Sequence, residues 1–169
     1  MKIGGLGMDS IDSVDGELMY DGIPLGTRDD RSDMSSQLMA DQRSGQRILI
    51  VDDEAAVADL IEAVLVGEGY TVAIARDGVQ GILLARDWKP DLVLMDIMLP
   101  GIDGTTAIRR LKSDPATAEL PIVAMSAGRT IRRQSNELAD ADAALAKPFD
   151  IEALLAQIEF LLSRRRAEQ

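Results

Sequence analysis

The sequence predicts an α/β fold: a doubly wound parallel sheet of five strands, with helices on both faces. Three observations lead there. Short apolar runs alternate with longer segments whose apolar residues recur at helical spacing. The runs are nearly continuous rather than alternating, as strands buried on both faces require. Three of them also end in charge, at Asp52-Asp53-Glu54, at Asp96 and at Lys147. Parallel strands would deliver those groups to one C-terminal edge, which is where open α/β sheets bind ligands.

The elements follow in order from Arg47. Ile48–Val51 is the first strand. Val57, Leu60, Ile61, Val64 and Leu65 recur at helical spacing, and Gly67 and Gly69 end that helix. Thr71–Ala75 is the second strand. Val79–Trp88 is the second helix, stopped ahead of Pro90. Leu92–Met95 is the third strand and Thr105–Ser113 the third helix. Ile122–Met125 is the fourth strand and Ile131–Leu138 the fourth helix. Ala143–Ala146 is the fifth strand. Asp150 caps a last helix with Ile151, Leu154, Leu155, Ile158, Leu161 and Leu162 on one face.

Residues 1–46 have a different character. They hold seven of the fourteen glycines, and nine acidic against four basic residues. No apolar period is sustained, so a flexible acidic N-terminal extension is expected. A short strand at Glu17–Tyr20, turned by Asp21-Gly22, is the one element the pattern allows. Residues 47–165 then form the folded domain, and 166–169 a C-terminal tail.

Composition narrows the chemistry. A chain of 169 residues with 46% apolar and 3% aromatic residues builds one domain, with a core of Leu, Ile, Val, Ala and Met. It contains no Cys and no His. That removes thiol chemistry, imidazole acid–base catalysis, disulfides and the usual zinc sites. Oxygen-seeking metals remain: Mg²⁺, Mn²⁺ or Ca²⁺. A net charge of −11 argues against a general nucleic-acid binder. No apolar run is long enough to span a membrane, and residues 1–7 lack a signal-peptide core, so a cytoplasmic location is expected.

The charged strand ends define the candidate site. Three carboxylates and one ammonium in one crevice are costly unless a cation or a phosphoryl group completes them. Asp96 ends the central buried strand, and a rigidly held carboxylate can attack a phosphoryl group to form an acyl phosphate. Read alone, it could equally cap a loop. Asp53 could likewise serve only as the N-cap of the first helix, with Glu54 a solvated first-turn residue.

Four islands go further. Ile48-Leu-Ile-Val-Asp52-Asp53-Glu54, Pro90-Asp-Leu-Val-Leu-Met-Asp96-Ile-Met-Leu-Pro100-Gly101-Ile-Asp-Gly104, Pro121-Ile-Val-Ala-Met-Ser126-Ala127 and Ala146-Lys147-Pro148-Phe149 resemble the receiver domain of bacterial response regulators. Order and spacing agree over about residues 47–164. The resemblance implies a flavodoxin-like sheet of order 2-1-3-4-5 with five helices. It implies Asp96 as phosphoacceptor, and Mg²⁺ (or Mn²⁺) held by Asp53, Asp96 and the backbone carbonyl of Met98, with Asp52 acting mainly through water. Lys147 would pair with Asp96 and then with a phosphoryl oxygen, and its bond to Pro148 would be cis. Ser126 would be the switch hydroxyl. The implied donor is a histidine kinase or a histidine phosphotransfer protein. The implied output is a changed protein-binding surface, without direct nucleic-acid or membrane contact.

Two features depart from the family. Ala144 stands where an aromatic residue is usual, and the stretch from Ser126 to Lys147 is about one residue short. No output domain follows Gln169, so a stand-alone receiver is expected. Competing readings are a receiver-fold interaction module that does not cycle, a Mg²⁺-dependent phosphatase with an Asp nucleophile, and a flavin-binding protein. The loops are too short for a phosphatase cap, and the Asp pair after strand one would repel a flavin phosphate. Arg129, Arg132 and Arg133 with Arg164-Arg165-Arg166 could form a basic face, although such residues are more often simply solvated.

Overall fold

The computed structural model describes residues 11–14, 17–20, 23–24, 43, 45–127 and 140–167. The chain divides into two units, Met1–Gln42 and Arg43–Gln169. In the first, β1 (Ile11–Val14), β2 (Glu17–Tyr20) and β3 (Ile23–Pro24) form an antiparallel meander. Ile11 pairs with Tyr20, and Tyr20 with Ile23. The Glu17–Tyr20 strand lies where the sequence allows it, and it has two short neighbours that the sequence analysis leaves out. The overlooked signal is a second Asp-Gly step, Asp15-Gly16, matching Asp21-Gly22 in the spacing and composition that two-residue hairpins favour.

The second unit contains β4 (Arg47–Val51), α1 (Ala55–Gly67), β5 (Thr71–Ala75), α2 (Gly78–Trp88), β6 (Leu92–Asp96), α3 (Gly104–Ser113), β7 (Ile122–Ala127), β8 (Ala143–Lys147) and α4 (Ile151–Ala167). Its five strands are parallel, in the order β5-β4-β6-β7-β8. Numbered within the unit, that is the expected 2-1-3-4-5 arrangement. Four helices are described; the expected helix at Ile131–Leu138 lies outside the described residues.

Strand alternation makes two cores from one sheet. Leu49 and Val51 of β4, Val93 and Met95 of β6, and Ile122 and Ala124 of β7 pack with Ile82 and Ala85 of α2 and Ala107, Ile108 and Leu111 of α3. Ile48 and Ile50, Leu92 and Leu94, and Val123 and Met125 face the other way. There they meet Ala58, Ile61 and Leu65 of α1 and Leu154, Ile158, Leu161 and Leu162 of α4. Gly81 permits the close approach of α2 to β4: a Cβ there would lie 2.9 Å from both methyls of Val51.

The expected α1 stripe is too wide. Ala58, Ile61 and Leu65 are buried at spacings of three and four, whereas Leu60 is 58% exposed. Each residue turns the helix by about 100°, so the neighbour of a central stripe residue points toward solvent. The caps are local. Asp77 accepts from the backbone N–H of Gln80 at 2.8 Å, and Asp103 from that of Thr106 at 2.8 Å. Each satisfies one of the unpaired donors at a helix start. Among the described residues, no helix is long and apolar enough to cross a membrane.

The two burial classes give a direct test. Leu94→Ala removes a fully buried side chain and should cost about 2–5 kcal/mol. Leu60→Ala, on the same sheet face but solvent-exposed, should change stability by no more than about 0.5 kcal/mol. Urea unfolding of both variants checks this, and equal losses would contradict the stated core.

Candidate functional site

β4 and β6 end side by side because Val51 pairs with Met95. The next residues, Asp52 and Asp96, are therefore neighbours. Alternation continues the series Ile48, Ile50, Asp52 and Leu92, Leu94, Asp96 on the side covered by α1 and α4. Ala143, Leu145 and Lys147 of β8 share that side. One periodicity thus builds a core and then, at the sheet edge, a charged crevice.

Asp52 is fully buried and Asp96 is 5% exposed. The Lys147 ammonium donates to Asp52 Oδ2 at 2.7 Å and to Asp96 Oδ2 at 3.0 Å. The second oxygen of each carboxylate is also occupied. Asp52 Oδ1 accepts from the N–H of Glu54 at 3.0 Å, and Asp96 Oδ1 from that of Met98 at 3.1 Å. Burial pulls the Lys147 pKa down, but its bonds to Asp52 and Asp96 outweigh that and hold it above the usual lysine value. The group is an ammonium.

Asp53 is exposed, at the mouth. Its carboxylate and those of Asp52 and Asp96 each offer an oxygen within 4.8 Å of the others. Three carboxylates against one ammonium leave two negative charges uncompensated. A set of hard oxygen donors with that deficit suits a divalent cation that keeps part of its water shell.

Other expected residues fall as follows. Lys147 was expected beside Asp96; it also bridges to Asp52, which strand spacing alone does not reveal. Glu54 sits at the N-cap of α1 without a side-chain cap, and the nearby donor is satisfied by Asp52 instead of Asp53. Met98, two residues after Asp96, is 67% exposed. Ser126 is fully buried, and its hydroxyl donates only a long 3.4 Å bond to the carbonyl of Ala127. Among the described residues it makes no bond to Asp52, Asp96 or Lys147. The Lys147–Pro148 bond is cis. Ala144 is exposed and pairs with Ala124 in register. Arg129, Arg132 and Arg133 lie outside the described residues. Arg165 donates to the carbonyl of Asp91 at 2.8 Å, so it is anchored to the fold rather than held out on an open basic face.

Gly104 escapes the sequence reading. Its N–H donates to the carbonyl of Ile97 at 3.0 Å, and a Cβ there would stand 2.0 Å from the carbonyl oxygen of Asp96. Only glycine lets α3 begin against the backbone that carries the central aspartate. The available signal is the Asp103-Gly104 pair, a cap followed by a residue without a side chain. The same Asp103 is held below the usual carboxylate range, chiefly by the N–H of Thr106.

A parallel five-stranded sheet of this order, with an acid crevice at its C-terminal edge, is the architecture of a receiver domain. Residues 48–159 match the response regulator receiver domain, and the chain belongs to that family. It is 42% identical over 119 residues to the DNA-binding dual master transcriptional regulator RpaA of Synechocystis, covering 70% of this chain and 49% of the relative. It is 43% identical over 117 residues to the response regulator PleD of Caulobacter vibrioides, covering 68% and 26%. The chain therefore spans half or less of these curated relatives. Among solved structures, it resembles a CheY-like receiver domain protein from Methanospirillum hungatei, with a TM-score of 0.65 and 28% identity over 73% of this chain and 98% of that one. It also resembles the receiver domain of the sensor histidine kinase PA1611 from Pseudomonas aeruginosa, with a TM-score of 0.66 and 32% identity over 71% and 99%. That structure carries a magnesium ion in its active-site cleft.

The Asp103 cap yields a signed pH test. Asp103→Ala should cost about 1 kcal/mol at neutral pH. Because the folded pKa lies below the unfolded value, the ionised carboxylate contributes fully above that unfolded value. The contribution disappears as pH falls through the lower, folded value. The stability gap between variant and parent should therefore narrow below about pH 4. Denaturant titrations across that range check it; a gap that widens in acid would overturn the assignment.

Proposed function

We propose that this chain acts as a receiver that accepts a phosphoryl group on Asp96 and signals by changing its protein-binding surface. The observation that carries the reading is the Lys147 ammonium shared between buried Asp52 and Asp96, with Asp53 at the mouth. The donor is the phosphohistidine of a sensor histidine kinase or histidine phosphotransfer protein. An Asp96 oxygen forms the new bond to phosphorus as the phosphorus–nitrogen bond breaks. Water later cleaves the acyl phosphate and restores the carboxylate, so the chain is a phosphoacceptor rather than an enzyme with a separate substrate.

Asp53, Asp96 and the backbone carbonyl of Met98 would hold Mg²⁺ or Mn²⁺, with Asp52 acting mainly through water. When bound, the metal would neutralise charge on the phosphoryl oxygens. The rest falls to the protein. The Met98 N–H fixes one Asp96 oxygen and limits its rotation. Lys147 already lies 3.0 Å from the other, so it can exchange a carboxylate oxygen for a phosphoryl oxygen with little motion. Ser126 holds a buried hydroxyl whose present bond is long and weak, leaving it free to turn toward a new acceptor. Ala144 has no rotamer to change, so the output is assigned to residues 127–133, of which only Ala127 is among the described residues.

RpaA is a DNA-binding regulator, and the match spans about half of it. For this chain the acidic balance of −11 supports protein partners over direct nucleic-acid contact. The full set of Asp52, Asp53, Asp96, Ser126 and Lys147 speaks against an interaction module that never cycles.

With Mg²⁺ and acetyl phosphate, intact-mass measurement should show one added phosphoryl group, and beryllofluoride should occupy the same site. Asp96→Asn should show neither. A phosphoryl adduct on that variant under the same conditions would sink the assignment.

A further inference from the structure

The face formed by α2 and α3 carries a feature that the acid crevice does not use. Val79 and Leu83, four residues apart on α2, are 49% and 53% exposed. They line a groove whose opposite wall is α3, with Arg109 and Arg110 on it and Arg86 on the α2 side. Three arginines there face a single carboxylate, Asp114. Arg86 takes that carboxylate, at 2.7 Å. Arg109 reaches Asp140 only at 3.9 Å, and among the described residues Arg110 has no ion-pair partner. α3 contains no acidic residue at all. In a chain of net charge −11 this is a local inversion of sign beside an uncovered apolar strip.

We propose that this groove docks an acidic amphipathic helix from a partner protein. Val79 and Leu83 stand one turn apart, the spacing at which an incoming helix presents its own apolar residues at i and i+4. Burying them supplies the anchor, while Arg109 and Arg110 meet carboxylates at the rim and steer the encounter. A nucleic acid fits less well. Its phosphates would satisfy the arginines but leave the apolar strip of Val79 and Leu83 bare. The inference does not depend on chemistry at Asp96, because the groove contains none of the crevice residues.

The test uses the full chain, isotope-labelled for amide NMR, and a synthetic helical peptide with Leu at i, i+4 and i+7 and Glu along both flanks. Three controls accompany it: a scrambled peptide of the same composition, a version with Lys for Glu, and a short DNA duplex. The expected result is shifts centred on residues 79–86 and 109–115. Affinity should fall at least about tenfold for the scrambled and Lys peptides, for Leu83→Glu, and for the pair Arg109→Glu with Arg110→Glu. It should also weaken with added salt. Thermal melts confirm that the exposed-site variants stay folded, and Leu83→Asn replaces Leu83→Glu if that one does not. Shifts that map elsewhere, variants that bind as well as the parent, or a scrambled peptide that binds equally would each overturn the proposal. So would a duplex that shifts these residues when the peptide does not, or sedimentation showing that a second copy of the chain already covers the groove.

Discussion

Everything at the working edge of this domain hangs on one ammonium between two buried carboxylates. Taking a carboxylate out of water costs on the order of several kcal/mol unless opposite charge and hydrogen bonds replace the lost hydration. Asp52 and Asp96 have both kinds of partner: Lys147 on one oxygen and a backbone N–H on the other. Remove Lys147 and two buried like charges face each other without a counter-charge. The end of β8 is thereby held against the ends of β4 and β6, although β8 pairs directly only with β7.

That arrangement is balanced but not neutral. One lysine cannot cancel three carboxylates, so the crevice suits a divalent cation. Stability and chemistry pull in the same direction here. The contacts that make buried aspartates tolerable also fix the orientation of Asp96 and hold a positive charge against it. Ser126 contrasts with those aspartates: among the described residues its buried hydroxyl makes one bond, and that bond is long.

The scaffold achieves this with small residues at close approaches. Gly104 allows α3 to start against the carbonyl of Asp96, and Gly81 allows α2 to lie on Val51. Both keep helices tight to the strands that end in the acid pair. A shift of the loop between Asp96 and Gly104 would therefore be felt at the start of α3, since the N–H of Gly104 is bonded to Ile97.

The sequence by itself determined the five strands, their parallel sense and the charged groups at their ends, because buried parallel strands need unbroken apolar runs and polar residues survive only where such runs stop. The acid pair, the central aspartate and the lysine could be picked out one by one for the same reason. What it could not determine was pairing across distance. That Lys147 binds Asp52 as well as Asp96, that Gly104 touches the Asp96 backbone, and that Ser126 has a weak partner all depend on how strands from separate parts of the chain are brought together. Leu60 shows the limit at short range too. Its hydropathy and spacing place it in the α1 stripe, but the direction from which the sheet approaches the helix leaves it in water. Hydrophobic period reports that a side chain is apolar; only packing against a particular neighbour decides which side of the helix is covered.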